Sequence, residues 1–296
     1  MRAAGYGTGV AMIIIAASMW STMGVAIRAL QPMDTWQILF WRSVGMIPVL
    51  SAFIWWRSGT GPVTALRGIG PAGVFGALGL VAAFGGGIHA LQTLPLANAV
   101  FLFSATPFLT ALLGRVILGE KVRPMTWAAI LIAAFGIWRM IGGMSITDGA
   151  AIGTISALAS ALGFSIFTVT LRYGPSRDSL PNVILGAVFA MIVAAVVLIS
   201  QGQPIPASPG STLGAIALGA LVLGLGLAIF TLGSRTVPAS EISLFGLFEV
   251  MLAPVWAWLL LSEIPERIVL EGGALILVAV VLNALTGARQ SAANPA

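Results

Sequence analysis

The sequence contains few of the side chains that carry chemistry or charge. Its 296 residues include no cysteine, one histidine and one lysine, Lys121. The absence of cysteine excludes disulfide bonds and cysteine-ligated metal or iron–sulfur centres. The single lysine lies in no phosphate-binding loop of the form Gly-x-x-x-x-Gly-Lys-Ser/Thr. No zinc-protease or Ser-His-Asp pattern is present either, so we expect no enzyme activity, no cofactor and no metal.

Charged residues make up only 8% of the chain, whereas 58% of the residues are hydrophobic and the mean hydropathy is +1.04. Soluble domains have about a quarter charged residues, so this composition indicates a membrane protein. The formal net charge is +5, a balance that often indicates nucleic-acid binding. Here the cations are scattered between apolar segments and form no basic stripe, so we expect no nucleic-acid partner.

Apolar runs long enough to cross a bilayer recur along the whole chain. A hydrocarbon core about 30 Å thick needs roughly 20 mostly apolar helical residues. We therefore predict an all-α membrane protein with ten transmembrane helices, at residues 10–30, 34–56, 71–92, 97–118, 124–141, 149–171, 180–200, 211–233, 239–261 and 267–286. Pro124 and Pro265 lie where the fifth and tenth helices begin, a position that tolerates a missing N–H. The first segment is interpreted as a retained helix and not as a cleaved signal peptide.

The distribution of arginine and lysine predicts the orientation of the chain. If the N-terminus is cytoplasmic, nine cations in the connections lie inside and three lie outside. The nine are Arg2, Arg57, Arg67, Lys121, Arg123, Arg172, Arg177, Arg235 and Arg289, and the three are Arg28, Arg139 and Arg267. This asymmetry satisfies the positive-inside rule. We predict a multi-pass protein of the cell inner membrane with both termini in the cytoplasm.

The two halves of the chain repeat one design. Matched pairs are Pro95/Pro238, Leu109/Leu252, Leu118/Leu261 and Glu120/Glu263 at an offset of 143 positions, and Gly9/Gly153 and Arg28/Arg172 at an offset of 144. Five spans separate each helix from its counterpart, and because five is odd the halves have opposite orientations. We predict two inverted five-helix repeats, residues 1–146 and 147–296, in one transmembrane domain. Inverted repeats are typical of secondary transporters.

Three phrases of the sequence resemble a known family. They are WQILFWRS in the second span, LLGRVILGEK at the end of the fourth and AWLLLSE at the end of the ninth. Together with the ten spans and the duplication, they resemble the drug/metabolite transporter superfamily and its EamA-type exporters. The resemblance implies a transporter of amino acids, other metabolites, nucleotide sugars or drugs. One departure is Glu249-Val250, because the family often has a proline after a small or acidic residue at this place.

Polar groups at bilayer depth are costly, so the few that occur are the best candidates for substrate binding. Glu249, near the centre of the ninth span, either binds a substrate ammonium or a proton, or is a structural carboxyl bonded to a neighbour or paired with Arg42. Arg42, in the outer part of the second span, either binds a substrate carboxylate or extends towards the outer interface. Ser104 and Thr106 lie at a similar depth, because Thr106 aligns with Glu249.

The remaining candidates are a histidine and several aromatic residues. His89, near the outer end of the third span, is either a substrate contact or proton sensor, or a hydrogen-bonded packing residue. Trp20, Trp41, Phe164 and Trp256 either line an apolar pocket or pack against lipid and neighbouring helices. Each of these residues has a structural and a functional interpretation that the sequence leaves open.

Two further features have structural interpretations. The glycine-rich runs of the third and eighth spans permit either close helix packing or bending during transport. Glu120 and Glu263 precede new helices, where a carboxylate favours the positive end of the helix dipole. We interpret both carboxylates as structural.

These observations predict an exporter of small metabolites that works by alternating access. Neutral or aromatic amino acids are the expected substrates, because Arg42 and Glu249 match the two charges of a zwitterion. The predicted substrate site consists of Trp20, Arg42, His89, Ser104, Thr106, Phe164 and Glu249. Lipophilic drugs or sugar and nucleotide conjugates are the alternative substrates, and an intramembrane enzyme or a channel is a distant alternative. Expected partners are a small-molecule substrate and the lipid bilayer, with proton coupling left open and a monomer or weak dimer as the assembly.

Overall fold

The computed structural model describes residues 5–59, 61–120, 122, 124–142, 148–173, 179–237 and 239–293. Every regular element in these ranges is a helix. In chain order the α-helices are α1 (Tyr6–Ser21), α2 (Met23–Ala29), α3 (Thr35–Ser58), α4 (Pro62–Arg67), α5 (Gly70–Thr93), α6 (Leu96–Phe103), α7 (Thr106–Leu118), α8 (Pro124–Gly142), α9 (Asp148–Tyr173), α10 (Ser179–Ser200), α11 (Pro209–Ala217), α12 (Gly226–Gly233), α13 (Ala239–Leu261) and α14 (Arg267–Ala293). Of the residues used above, Arg2, Lys121, Arg123, Arg177 and Pro238 lie outside the described ranges.

Within the described residues, eight helical segments are long and apolar enough to cross a membrane. They are Tyr6–Ala29, Thr35–Ser58, Gly70–Thr93, Leu96–Leu118, Pro124–Gly142, Gly149–Arg172, Ser179–Ser200 and Pro209–Gly233. They coincide with the first eight predicted spans. The segments predicted as spans nine and ten form α13 and α14. Within α13, Phe248–Leu261 is an apolar stretch shorter than the eight spans. The chain is an all-helical, multi-pass membrane protein.

Two predicted spans are interrupted instead of continuous. The first divides at Thr22, between α1 and α2, and the fourth divides between α6 and α7. Pro107 has no N–H, so the carbonyl of Phe103, four residues earlier, loses its helical donor. That carbonyl accepts a hydrogen bond from Thr106 Oγ1 at 2.7 Å. The polar residues inside this apolar run therefore mark a break in the helix.

Two other helices differ from their predicted bounds. The short α4 lies in the predicted connection between the second and third spans, and α14 continues past the predicted end at residue 286. Pro62 begins α4, where its fixed backbone angle suits a helix start. The end of α14 is polar but rich in alanine, which has high helix propensity, so the helix continues where the apolar run stops.

The eighth span has an irregular centre. Between α11 and α12 lies a π-helical segment, Leu218–Leu225, called here the π segment. π-helices are rare and are frequently found at functional sites. A Cβ added at Gly219 would lie 2.7 Å from the carbonyl carbon of Arg42 on α3, closer than real Cβ atoms approach. The glycine therefore allows the π segment to pack against α3 at the position of Arg42.

The helices pack closely through glycines at other places as well. The most extensive helix pair is α5 with α9, where a Cβ at Gly79 would lie 2.7 Å from the carbonyl oxygen of Gly163. In the same interface, a Cβ at Gly86 would lie 2.6 Å from the carbonyl oxygen of Ser156. Small residues permit this approach of two backbones in a bilayer, where dispersion contacts stabilise helix pairs. The glycine-rich third span is therefore a close-packing surface.

Several contacts occur twice, in corresponding places of the two halves. α5 packs against α9, and α1 packs against α12. Gly9 of α1 lies against the side chain of Thr236, and Gly153 of α9 lies against that of Thr93, with 2.5 Å from an added Cβ to Thr93 Oγ1. The helix pairs α3 with α10 and α8 with α14 each join a predicted span to its counterpart. The repeated contacts join residues and helices that the sequence offsets of 143 and 144 relate.

Candidate functional site

Arg42 is a buried cation on α3. Arg42 is only 3% exposed, and its guanidinium carbon lies 4.7 Å from the centre of the Phe84 ring on α5. Among the described residues, neither Nε nor Nη2 has a hydrogen-bond partner. The side chain is buried against α5. The ring of Phe84 offers a cation–π contact but leaves the N–H groups of the guanidinium without an acceptor.

The start of α3 fixes the position of Arg42. Asp34 caps the helix, accepting a hydrogen bond from the N–H of Trp36 at 2.8 Å, while the Gln37 side chain accepts one from the N–H of Asp34 at 3.1 Å. This reciprocal capping defines the first turn. The side chains of Gln37 and Trp41 then donate to the carbonyls of Pro204 (2.8 Å) and Ile205 (2.9 Å) in the connection after α10. Arg42 therefore lies on an anchored helix.

Trp20 supplies a second donor without an acceptor. Its Nε1 is buried and has no hydrogen-bond partner in the described part of the chain, and its ring lies 5.3 Å from that of Phe230. A Cβ at Gly226 would lie 2.6 Å from Nε1, so the glycine makes room for the indole. Trp20 and Phe84 pack against the same buried cluster. The rings of Trp20 and Phe84 therefore contact one buried cluster. The Trp20 indole N–H and the Arg42 guanidinium, which lies on the Phe84 ring, are donors beside it.

Glu249 is partly buried in the middle of α13. No hydrogen bond or ion pair is found for its side chain among the described residues. A direct ion pair with Arg42, one alternative from the sequence, is not present, and α3 and α13 are not among the closely packed helix pairs. α13 packs instead against α1, α2 and α6. The two charges expected to bind a zwitterion lie on helices that do not pack closely.

Ser104 and Thr106 lie at the break between α6 and α7. Ser104 Oγ donates to the carbonyl of Val100 at 3.2 Å, and the carbonyl of Thr106 accepts from Ser165 Oγ on α9 at 3.0 Å. Thr106 also lines a cavity of about 430 Å³ between α7, α8, α9 and α14. The cavity is lined by Thr106, Pro107, Thr110, Ala111, Glu120, Val122, Thr126, Thr168, Arg172 and Asn283. It is rich in hydroxyl groups, and the buried Thr110 Oγ1 has no partner among the described residues.

His89 belongs to a hydrogen-bonded group at the start of α3 and the end of α5. Its Nδ1 lies 3.3 Å from Thr35 Oγ1, and Thr35 Oγ1 donates to Gln92 Oε1 at 2.6 Å. Gln92 Nε2 donates to the carbonyl of Met33 at 2.9 Å. These bonds join the start of α3 to the end of α5, which favours the packing role of His89.

The other aromatic candidates have different surroundings. Phe164 is 45% exposed on α9 and contacts the Phe167 ring at 5.6 Å between ring centres. Trp256 Nε1 donates to Ser21 Oγ at 2.9 Å, which joins α13 to α1. Among these aromatic candidates, only Trp20 combines burial of its polar atom with the lack of an acceptor in the described residues. Trp20 and Phe84, the ring beside Arg42, pack against one buried cluster that includes neither Phe164 nor His89. Glu249 lies on α13, which packs against α1, the helix of Trp20.

Arg28 and Glu263 form a partly buried ion pair between the ends of α2 and α13. Arg28 Nη1 donates to Glu263 Oε1 at 2.5 Å, and the two side chains are 21% and 25% exposed. Arg28 also donates to the carbonyls of Leu91, at 2.7 Å, and Leu94. Glu263 Oε2 accepts from the N–H of Leu96, at the start of α6, at 3.0 Å. This group of four bonds is called the outer pair, because the orientation predicted from the sequence places it on the outer side.

The counterparts of these two residues form a second ion pair. Arg172 Nη1 donates to Glu120 Oε2 at 3.0 Å and to Oε1 at 3.3 Å, and the side chains are 52% and 45% exposed. This contact is called the inner pair, and both residues line the cavity of about 430 Å³. The sequence offset already matched Arg28 with Arg172 and Glu120 with Glu263. The recurrence of both members, the arginines at an offset of 144 and the glutamates at an offset of 143, was the signal for the pairing, and the structural interpretation as helix-dipole partners missed it.

An all-helical membrane domain with buried partnerless donors and a polar cavity is the architecture of a membrane transporter. The model of the EamA-like transporter family matches residues 7–142 and again residues 151–285. The chain belongs to the EamA-like transporter family. The family and its transport function, inferred from three sequence phrases and the duplication, are thereby confirmed.

Individual relatives agree with this assignment. The chain is 25% identical over 281 residues to the pseudopaline exporter CntI of Pseudomonas aeruginosa, covering 93% of this chain and 95% of that protein. It is 26% identical over 277 residues to an uncharacterized transporter of Archaeoglobus fulgidus, with the same coverage of both chains, 93% and 95%. A solved crystal structure matches with a TM-score of 0.65 and 22% identity, covering 96% of this chain and 99% of that one. This last similarity supports the fold alone.

Proposed function

We propose that this protein exports small zwitterionic metabolites, with neutral or aromatic amino acids as substrates, across the cell inner membrane. The observation that carries the proposal is the buried guanidinium of Arg42, which has no acceptor for Nε and Nη2 among the described residues. A buried cation without a partner is costly, so a protein that keeps one gains from a ligand that pairs with it. A substrate carboxylate has the planar geometry that binds arginine through two parallel hydrogen bonds.

The surroundings of Arg42 suit an amino acid with an apolar side chain. Phe84 stacks on the guanidinium at 4.7 Å, and Trp20 adds an indole N–H without an acceptor in the described chain. Two donors and two aromatic rings match a carboxylate that carries an apolar group. The π segment packs against the Arg42 backbone, and its irregular hydrogen bonding gives this region a place where the helix can change shape.

Glu249 is the proposed group for the substrate ammonium or for a coupled proton. It lies on α13, which does not pack closely with α3, and it has no bonded partner in the described residues. A zwitterion that contacts both charges would bridge the two helices and favour their approach. Such a substrate-dependent approach of the halves is the basis of alternating access.

We also propose ten transmembrane helices arranged as two inverted repeats, residues 1–146 and 147–296, with both termini cytoplasmic. Two observations support the repeats. The family model matches twice, at 7–142 and 151–285, and the contacts of Gly9 with Thr236 and of Gly153 with Thr93 recur at the sequence offset. α13 and α14 supply the ninth and tenth spans.

Pseudopaline is a second candidate substrate. The chain is similar to the pseudopaline exporter CntI along 93% of its length. The name of that relative supports the direction of transport proposed here, which is export. At 25% identity the two proteins share the family, and a direct assay decides between the two substrates.

The test is transport by purified protein in liposomes with labelled phenylalanine, leucine, phenylethylamine and pseudopaline. Phenylethylamine is the matched control because it keeps the ring and ammonium of phenylalanine but lacks the carboxylate. We expect phenylalanine to be transported and phenylethylamine not. Equal transport of both compounds would contradict carboxylate binding by Arg42. Repeating the assay with and without a pH gradient distinguishes proton coupling from facilitated export.

A further inference from the structure

The outer and inner pairs are built from the same local structure. α7 ends at Gly119, and the N–H of Glu120 donates to the carbonyl of Gly114 at 3.2 Å. At the end of α13, the N–H of Glu263 donates to the carbonyl of Ala257 at 3.2 Å. In both endings the N–H that follows a left-handed residue bonds to the carbonyl six positions earlier, one position further than in the Schellman motif. This ending turns the chain so that each glutamate meets the arginine at the end of a helix from the other repeat.

The two pairs are not equally strong, although their local geometry is the same. In the outer pair, Arg28 and Glu263 share three further bonds with the backbone of residues 91–96. Beside this pair, a Cβ at Gly24 would come within 3.3 Å of a Leu91 methyl carbon, and Leu96 packs still closer to the glycine. The inner pair has only the contact between Arg172 and Glu120 in the described residues, and its side chains are about twice as exposed.

The position of the cavity agrees with this difference. The cavity of about 430 Å³ lies beside the inner pair and includes both of its residues. With the predicted orientation, the inner pair faces the cytoplasm and the outer pair faces the opposite side of the membrane. The protein is therefore more tightly closed on the outside than on the cytoplasmic side.

We propose that the outer and inner pairs are the two gates of the transport cycle and that their unequal bonding makes the resting protein open towards the cytoplasm. Each pair joins one repeat to the other, so rotation of the repeats strains one pair while it relaxes the other. An exporter needs to load its substrate from the cytoplasm, and the weaker inner pair provides that access. This inference rests on the proposed alternating access between two repeats.

The absence of native cysteine makes a direct test possible. A single Thr168→Cys change places a thiol on the cavity beside the inner pair. A single Val250→Cys change places one at the counterpart of the cavity-lining Pro107, near the centre of the ninth span, where it reports water that enters past the outer pair. Each protein is treated with a membrane-impermeant maleimide in right-side-out and in inside-out vesicles. We expect the Thr168→Cys protein to react from the cytoplasmic side and the Val250→Cys protein to be protected from the outside.

Gate variants are then combined with each reporter. Glu263→Gln should raise labelling of the Val250→Cys protein from the outside by at least about threefold, because loss of bonds that hold one state shifts the population towards the other. Glu120→Gln should leave that labelling unchanged and raise cytoplasmic labelling of the Thr168→Cys protein. The double exchange Glu120→Arg with Arg172→Glu should return cytoplasmic labelling of the Thr168→Cys protein to its original rate. In the described residues these two side chains bond only to each other.

The result that overturns the gate assignment is unchanged outer labelling in the Glu263→Gln protein. An equal effect of Glu120→Gln and Glu263→Gln on the outer reporter also overturns it, because the two pairs would then not control separate sides. These readouts do not require a known substrate. If outer labelling is unchanged while liposome transport continues, the gates are refuted and the proposed function stands.

Discussion

Gly119 and Ser262 lie 143 positions apart and adopt the same left-handed backbone, with φ of 67° and 57°. Ser262 is the only residue other than glycine with positive φ in the described chain. Both residues follow the last turn of a helix, and both precede a glutamate that pairs with an arginine of the other half. Two residues related by the sequence offset of 143 therefore share one backbone conformation.

Exchanging the residue types at these two positions tests that conformation. Left-handed backbone costs a residue with a Cβ roughly 1 kcal/mol, whereas glycine adopts it freely. We expect Ser262→Gly to raise the free energy of unfolding by about 0.5–1 kcal/mol and Gly119→Ser to lower it by a similar amount. Thermal unfolding in detergent measures both. The two substitutions should change the free energy of unfolding in opposite directions. A change in the same direction would show that one of the two φ angles is not left-handed.

Gly219 is predicted to control the contact between the π segment and α3. A Cβ at this position overlaps the backbone of Arg42, so Gly219→Ala should destabilise the protein by about 1–3 kcal/mol, as overpacked substitutions do. Transport should fall as well, because the strain acts on the helix that carries Arg42. Gly210→Ala is the matched control in the same span, since nothing lies within 4 Å of a Cβ there. Equal melting temperatures for the two variants would refute the close contact.

Arg42→Met separates a binding role from a structural role. The change removes a buried charge without a described partner but keeps an unbranched apolar side chain, so we expect equal or greater thermal stability. Transport of phenylalanine should decrease at least about tenfold, equivalent to about 1.4 kcal/mol. Arg57→Met, at the end of the same helix, is the control and should retain transport. Loss of both stability and transport on Arg42→Met would instead show that the guanidinium holds the fold together.

Glu249→Gln tests the proposed ammonium or proton site. The amide keeps the shape and hydrogen bonding of the carboxyl, so the protein should insert and fold normally. It cannot carry a negative charge or exchange a proton. We expect transport of zwitterionic substrates at least about tenfold slower than in the unchanged protein. Glu271→Gln, which disrupts the exposed pair with Arg139, is the control. Near-normal transport by the Glu249→Gln protein would leave this residue as a partly buried hydrogen-bonding group.

A topology experiment tests the number of spans directly. A reporter fused after Ala296 should be cytoplasmic, and one inserted near Pro206, in the connection after α10, should be external. The prediction follows from ten spans and the positive-inside rule. A reporter near Gly61, between α3 and α4, serves as a cytoplasmic reference. Signals from the same side for Ala296 and Pro206 would exclude the ten-span arrangement.

The sequence by itself determined the membrane class, the family and the approximate places of the helices. These follow from local properties, because the length and polarity of a segment decide whether it crosses a bilayer. The offset between the halves also matched Arg28 with Arg172 and Glu120 with Glu263, since this correspondence needs only the order of residues along the chain. The prediction of a continuous span at 97–118 missed the break before Pro107, although proline lacks the N–H that a continuous helix needs.

The tertiary structure alone decided which side chains meet. Arg28 and Glu263 are 235 positions apart, and their pairing depends on the approach of α2 to α13. The π segment, its contact with Arg42 and the separation of Arg42 from Glu249 depend likewise on how the helices pack. Helix packing in a bilayer depends on the detailed fit of small and large side chains over the whole interface. No local pattern in the sequence specifies that fit, so the ion pairs and the isolated guanidinium were visible only in the folded chain.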